Sequence, residues 1–451
     1  IVAQWNPNTS LNLEVAGLPV ADMESLTTTD GKTWVAFYHE NTGNYDMRVQ
    51  LLDAGGNKLL GADGLLVDNQ PSGTATFVFN ICKDANDNLI VAYQDERSGS
   101  MQCVAYKIST TGTQMWGAHG VVLGDGLAPY PAVLSNGETV VAWNDGVTNT
   151  LSVQKISSSG SLVWATPKTI KIGTSNTTRG QLVANLNGSF TLIMQKRGFG
   201  INTTLYAQRY DADGIAQWPS PVQLNPDATS GARYYSVTSE SDTSYCGFYS
   251  SAGMRFNSYV QRINPNGSLP YGTSGALFST ATGTNDPYQQ KTEMAITSGS
   301  PYVWSACSVS DPNQVQYGVY VQKFLKSNGS RLFGDNALSV YPVSSNYETQ
   351  FGKLSLVNDG PMFLTGDNSN KLYATRLDPN GNFMWPGNRI EVASTGNSKS
   401  REGFTGLANG QGIAIWTETR TSNLAYAQRI TPGGVLAIDV STQGGLPASI
   451  N

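Results

Sequence analysis

Ala207-Gln208-Arg209-Tyr210-Asp211-Ala212-Asp213-Gly214-Ile215-Ala216-Gln217-Trp218 is the frame from which the architecture can be built, because the chain returns to it again and again. Val153-Gln154-Lys155-Ile156 leads to Gly160 and Trp164, and Val260-Gln261-Arg262-Ile263 leads to Gly267 and Tyr271. The same Gly recurs as Gly56, Gly112, Gly329, Gly381 and Gly434, at successive spacings of 56, 48, 54, 53, 62, 52 and 53 residues. Four residues after each Gly stands a large apolar side chain: Leu60, Trp116, Trp164, Trp218, Tyr271, Phe333, Trp385 and Ile438. Gln precedes the turn in six units (Gln50, Gln154, Gln208, Gln261, Gln322, Gln428), with Tyr106 and Thr375 in the other two. A basic residue follows it in seven. A fixed period of this size marks a repeat architecture.

Each unit reads as four short strands. The first (Gln181–Ala184) ends in a turn such as Asn187-Gly188 or Asn136-Gly137, and the second is apolar and β-rich, as in Leu89–Tyr93 or Thr139–Trp143. The third carries the Gln and closes in a turn such as Asp378-Pro379-Asn380-Gly381, where Pro presets φ and Gly supplies positive φ. The fourth holds the aromatic and an apolar run such as Gly120–Leu123. No segment keeps an apolar helical period between caps. Four antiparallel strands in eight repeats describe an all-β, eight-bladed β-propeller. One blade cannot bury both faces alone, and closing the ring removes exposed sheet edges. The reading is one domain over 1–451: a closing strand in 1–15, eight repeats of about 54 residues from about 16 to 438, and a tail at 439–451. Val2-Ala3-Gln4-Trp5 nearly repeats Ile215–Trp218, so the N-terminal strand is expected to close the ring, with Val435–Ile438 as its competitor for the slot.

These residues resemble the Tyr-Ala-Gln-Arg-x-Asp-x-x-Gly-x-x-x-Trp repeats of large secreted or cell-surface bacterial β-propeller proteins of mostly uncharacterised role. In that pattern a preceding strand ends Trp/Tyr-x-Asp/Glu-x-Arg, as in Tyr93–Arg97 and Trp416–Arg420. The resemblance implies a propeller and an exported location, and it carries no catalytic residues. Tyr210–Gly214 with Trp218 also resembles the Asp box of sialidases, although the Gly-to-Trp spacing is one residue longer and the Ser/Thr positions differ. Asp boxes are structural turns, so this second likeness implies no chemistry.

Only 14% of the 451 residues are charged, against roughly a quarter in ordinary domains, while Gly (48) and Tyr (21) are abundant. No run of ~20 apolar residues spans a membrane, and a net charge of −5 lacks the footprint of a nucleic-acid binder. The start at Ile1 without a leader predicts that a signal peptide has been removed. With the polar, low-charge composition it predicts a secreted or cell-surface protein, expected to be a monomer.

Two histidines, His39 and His119, without carboxylates or cysteines at ligand spacing, argue against a metal site. No cofactor is assigned; calcium stays open at turns such as Asp84–Asp87, which lack the spaced carboxylates of a specific loop. Cys82 and Cys103, on first and third strands about 9.6 Å apart, are read as free thiols, as are Cys246 and Cys307. The Gln column is expected to satisfy backbone groups, the basic column to form an ion-paired or solvated rim, and the aromatic column to pack between blades.

Function should then sit on the face carrying the second-to-third-strand loops and the inter-blade connections. The loops offer Glu40, Tyr45, Asp95, Arg97, Asp145, Arg197, Phe199, Arg255, Phe256, Glu418 and Arg420, and the connections Tyr130, Tyr288 and Tyr347. The candidate ligand-binding set is Tyr45, Asp95, Arg97, Asp145, Arg197, Phe199, Arg255, Tyr288, Tyr347, Glu418 and Arg420. Aromatics among Arg, Asp and Asn suit sugar stacking or a protein partner, so a non-enzymatic extracellular binding or scaffold module leads. The alternatives are a glycoside hydrolase or lyase of propeller fold, using paired carboxylates among Asp95, Asp145 and Glu418, and a purely structural surface protein.

Overall fold

The structure, a computed structural model, describes residues 5–73, 78–197, 203–225, 232–252, 255–281, 283 and 285–436. Alternating apolar strands separated by Gly and Asn turns pair into eight four-stranded antiparallel sheets, with no α-helix among the described residues. The fold is an eight-bladed β-propeller. Blades 1 to 7 span 20–68, 80–125, 127–170, 176–223, 232–277, 288–344 and 349–393; blade 8 combines 399–430 with 13–14. In blade 3 the strands are Leu127–Val133, Thr139–Asp145, Thr150–Ile156 and Lys168–Ile170, hydrogen-bonded in chain order.

The chain groups into two compact units. One takes the described parts of 1–37, 49–65 and 351–451, around a core that includes Val15, Val35, Trp385, Phe404 and Trp416. The other, 38–48 and 66–350, buries its apolar side chains in successive clusters between blades, such as Ala142 and Leu151 with Phe190 and Leu192. Within it the first strands of neighbouring blades from 2 to 6 approach one another, which places them on the axial side.

The Gln column does what buried amides must. Each Nε2 donates to a carbonyl in the turn beyond its strand (Gln154 to Trp164 at 3.0 Å, Gln208 to Trp218 at 3.0 Å, Gln261 to Gly272 at 2.8 Å). Each Oε1 accepts the next residue's N–H, that of Lys155, Arg209 or Arg262. Three members of the basic column are buried in ion pairs, Lys107 to Asp84 at 2.8 Å, Lys155 to Glu138 at 2.9 Å and Arg209 to Asp242 at 2.7 Å, while Arg262, Arg376 and Arg429 donate to the carbonyls of Lys326, Pro432 and Ala54.

The Gly and aromatic columns meet across blade boundaries. Trp116 lies against Gly160, Trp164 against Gly214, Trp218 against Gly267 and Tyr271 against Gly329, all four glycines at positive φ. The aromatic occupies the turn before the outer strand, not the strand as expected: Leu162 bridges Ile156, and the outer strand begins only at Lys168. That turn is what lets Trp164 face the next blade. At Gly160 a Cβ would stand 2.6 Å from Trp116 Cδ1 at φ +93°. Gly160→Ala should therefore lose about 1–3 kcal/mol to overpacking and about 1–2 to the left-handed backbone. Gly299→Ala, at φ +78° with open space, should lose only the backbone part. Urea denaturation separates the two; equal losses would show that the blade contact is not decisive.

The N-terminus closes the ring through Leu13–Glu14, which pair with Ala427 and Tyr426. Residues 1–4 and Ile438 lie outside the described residues. Trp5 instead fills the aromatic column of blade 8. Its indole donates at 3.0 Å to Ala54, two residues before Gly56. Trp116, Trp218 and Trp385 donate in the same way to Ser158, Pro265 and Pro432, two before Gly160, Gly267 and Gly434. Val435, the competing segment's first residue, is exposed.

Candidate functional site

The loop residues favoured by the sequence fall into separate local networks. Asp95 is buried and held by Arg97, whose guanidinium also reaches Asp68 at 3.0 Å, the Tyr106 hydroxyl at 3.2 Å and the His119 carbonyl at 2.7 Å. Tyr106 in turn donates to Asp68. Glu418 is fully buried, accepting from Thr395 (2.6 Å), Asn397 (3.1 Å), Trp416 (3.0 Å) and Arg420 (3.1 Å). Burial alone would raise its pKa, but those hydrogen bonds, led by Arg420, outweigh it and hold the carboxyl at about 2. Arg420 lies 4.1 Å over the Tyr426 ring and donates to the Ser10 carbonyl. The Asp/Glu-x-Arg motif is thus a clasp between a strand end and the blade's outer edge.

Asp145 caps its own loop, accepting from the Val147 and Thr148 amides at 2.9 Å, which lowers its pKa. Arg255 donates to the carbonyls of Ala281, Gly283, Asp286 and Pro287 and lies 5.5 Å from the Tyr288 ring centroid, tying down the longest inter-blade connection. Tyr45 packs edge-on against Tyr38, Tyr347 rests on Tyr317 at 4.2 Å between centroids, and Arg197 is exposed. Phe199 lies outside the described residues. His119 sits in the turn before its outer strand. Asp84, in the turn considered for calcium, accepts from the Asn86 and Asn88 amides and pairs with Lys107. None of the four cysteines is joined in a disulfide among the described residues. No cluster of three or more His, Cys, Asp or Glu side chains suited to a metal occurs among the described residues.

What the structure does bring together is an axial cavity of about 500 Å³, within the ~300–1,000 Å³ of small-molecule sites, lined by first-strand residues of blades 2, 3, 4 and 6. Its layers follow from strand register. Asn80, Tyr130, Gln181 and Glu293 stand opposite Ala92, Ala142, Ile193 and Ala306, the same level in four blades. Next to that level every one of the latter three first strands carries a β-bulge, whose first residue is left-handed: Ala128 (φ 56°), Arg179 (φ 53°) and Lys291 (φ 58°). Arg401 (φ 56°) takes the equivalent place in blade 8. Bulges re-aim side chains and sit next to sites. Two are clipped by the preceding blade: Gln94 Oε1 accepts from the Ala128 amide and Asn144 Oδ1 from the Arg179 amide, both at 2.8 Å. Asn144 is the next-to-last residue of the second strand Thr139–Asp145, so it lines the cavity near the second-to-third-strand loop of blade 3.

None of the eleven candidate residues lines this cavity; Tyr130, noted among the connections, does. The signal available in the sequence was a cation at the same place in three first strands: Thr178-Arg179-Gly180-Gln181, Gln290-Lys291-Thr292 and Ser400-Arg401.

No protein-family model and no curated protein matches the chain. Among solved structures it is similar to a polysaccharide lyase, an ulvan lyase bound to -[GlcA(1-4)Rha3S]-, with a TM-score of 0.50 at 10% identity over 97% of this chain and 99% of that one. A second polysaccharide lyase gives a TM-score of 0.45 at 8% identity, covering 92% of this chain and 90% of that one. An α-L-arabinofuranosidase from Fusarium graminearum gives 0.39 at 8% identity, covering 67% of this chain and 92% of that one. The first of these, at 10% identity, is a likeness of fold alone.

Proposed function

We propose that this chain is an extracytoplasmic, non-enzymatic glycan-recognition module that takes a polysaccharide segment into its axial cavity. The observation that carries the reading is the cavity itself: a half-buried aromatic, Tyr130, beside the amides Asn80, Asn144 and Gln181 and the charged groups Arg179, Lys291 and Glu293. An aromatic face with a few converging polar groups is what a sugar ring requires. The similar ulvan lyase fold is bound to a polysaccharide fragment, which fits a glycan as the class of ligand. A hydrolase would need two carboxyls about 5–10 Å apart; the cavity's described lining supplies Glu293 alone, while Asp95 and Glu418 are committed to their arginines.

Affinity electrophoresis against a panel of neutral and acidic polysaccharides tests this. Retardation by at least one polymer, lost in Tyr130→Ala, is expected. Retardation by none overturns the reading, and cleavage of a retarding polymer, seen as new reducing ends or unsaturated products, replaces binding by catalysis.

A further inference from the structure

We propose that the axial cavity is an anion-recognition site whose ligand is the carboxylate or sulfate of an acidic polysaccharide. This rests on the glycan reading above and narrows it to charged polymers. Arg179 and Lys291 occupy one register position in blades 4 and 6, and both line the cavity. A left-handed residue other than Gly is disfavoured by about 1–2 kcal/mol, and Gly or Asn is the relaxed choice there. Three blades nevertheless carry a long cation at the bulge (Arg179, Lys291 and Arg401), where blade 3 has Ala128.

Four of the arginines described above are spent: Arg97 and Arg420 on carboxylates, Arg209 on Asp242, Arg255 on four carbonyls. Arg401, the equivalent in blade 8, lies 3.6 Å from Asp22. Arg179 is exposed to the cavity, and its guanidinium has no ion pair or hydrogen bond among the described residues. Its backbone is held in place by Asn144, so the group is positioned without being neutralised. Lys291 Nζ donates to the Gln350 carbonyl at 3.3 Å.

Two cations against Glu293 leave the described lining at net +1 on a chain of net −5, and a concave wall concentrates that local field. A planar guanidinium engages carboxylate or sulfate through paired N–H donors. Tyr130 and Gln181 are placed to meet the neutral parts of the sugar.

Isothermal titration with polygalacturonate, dextran sulfate and neutral arabinan separates the possibilities. At least one acidic polymer should bind, with affinity falling as salt rises, and arabinan should not compete. Arg179→Gln should weaken the acidic polymer about tenfold or more, as expected for a lost charge-assisted hydrogen bond. Arg179→Asn, which suits the left-handed bulge, should weaken binding equally at an unchanged melting temperature. Which acidic polymer binds identifies the anion, and binding by either supports the site. Arabinan binding as tightly as the acidic polymers, or an unaltered affinity in both variants, overturns the anion assignment and leaves glycan recognition standing. Binding of no polymer at all removes both.

Discussion

Deleting residues 1–15 is expected to abolish the single cooperative melting transition and leave a chain that aggregates. The segment supplies more than one strand. Leu13–Glu14 cover the edge of Asn423–Ile430, and the Val15 amide donates to the Ala425 carbonyl at 2.9 Å. Asn12 donates to the Val392 carbonyl at 2.9 Å, and the Ser394 amide donates to the Thr9 carbonyl at 3.1 Å. Trp5 is 2% exposed and Val15 is fully buried. Truncating a buried Trp loses about 3–5 kcal/mol, a large part of the ~5–15 kcal/mol by which a native protein is stable. Without the strand, the last blade also presents an unpaired edge that invites association. Trp5→Ala isolates the packing contribution and should lower stability by about 3–5 kcal/mol while leaving the strand in place. Calorimetry with size-exclusion chromatography checks both; a truncated chain that stays monomeric with an unchanged transition would show that blade 8 is closed some other way.

The second large effect belongs to Glu418. Its carboxylate is enclosed among Thr395, Asn397, Trp416 and Arg420, with Lys399 Nζ at 3.7 Å and equally buried. Glu418→Ala should lose about 3–5 kcal/mol, because it leaves the buried Lys399 and the partly buried Arg420 without their carboxylate. The pH dependence has a definite sign. The folded-state pKa, about 2, lies below the ordinary 4.5, so the stabilisation is present above pH 4.5 and is lost as pH falls toward 2. Wild type should lose stability across that window, and Glu418→Gln, already weaker at neutral pH, should lose less there. Denaturant midpoints at pH 7, 4.5 and 2.5 measure this, and parallel pH curves for the two proteins would overturn the assignment.

The fold was legible because its determinants are local and periodic. Gly214 and Trp218 lie four residues apart, yet each serves a different blade boundary, so the spacing itself encodes how one sheet meets the next. Gln208 was readable for the same reason: its partners, the Arg209 amide and Trp218 carbonyl, lie within one hairpin and turn. The closing segment was legible through Trp5, which matches the repeat's aromatic, whereas Leu13-Glu14 is too short to show a strand pattern.

The candidate site was less legible. Asp95, Arg97, Glu418 and Arg420 were conspicuous as charges in loops, and tertiary structure turned them inward onto one another. Arg179 and Lys291 were inconspicuous because they lie within first strands and more than a hundred residues apart. The sequence by itself determined the number of blades, their strand order and the residues that pack between them, since turn geometry and alternating burial act over a few residues. Only the tertiary structure decided which side chains share a cavity. Bulges and inter-blade clips set where the first strands of separate blades point, and no local spacing records that convergence.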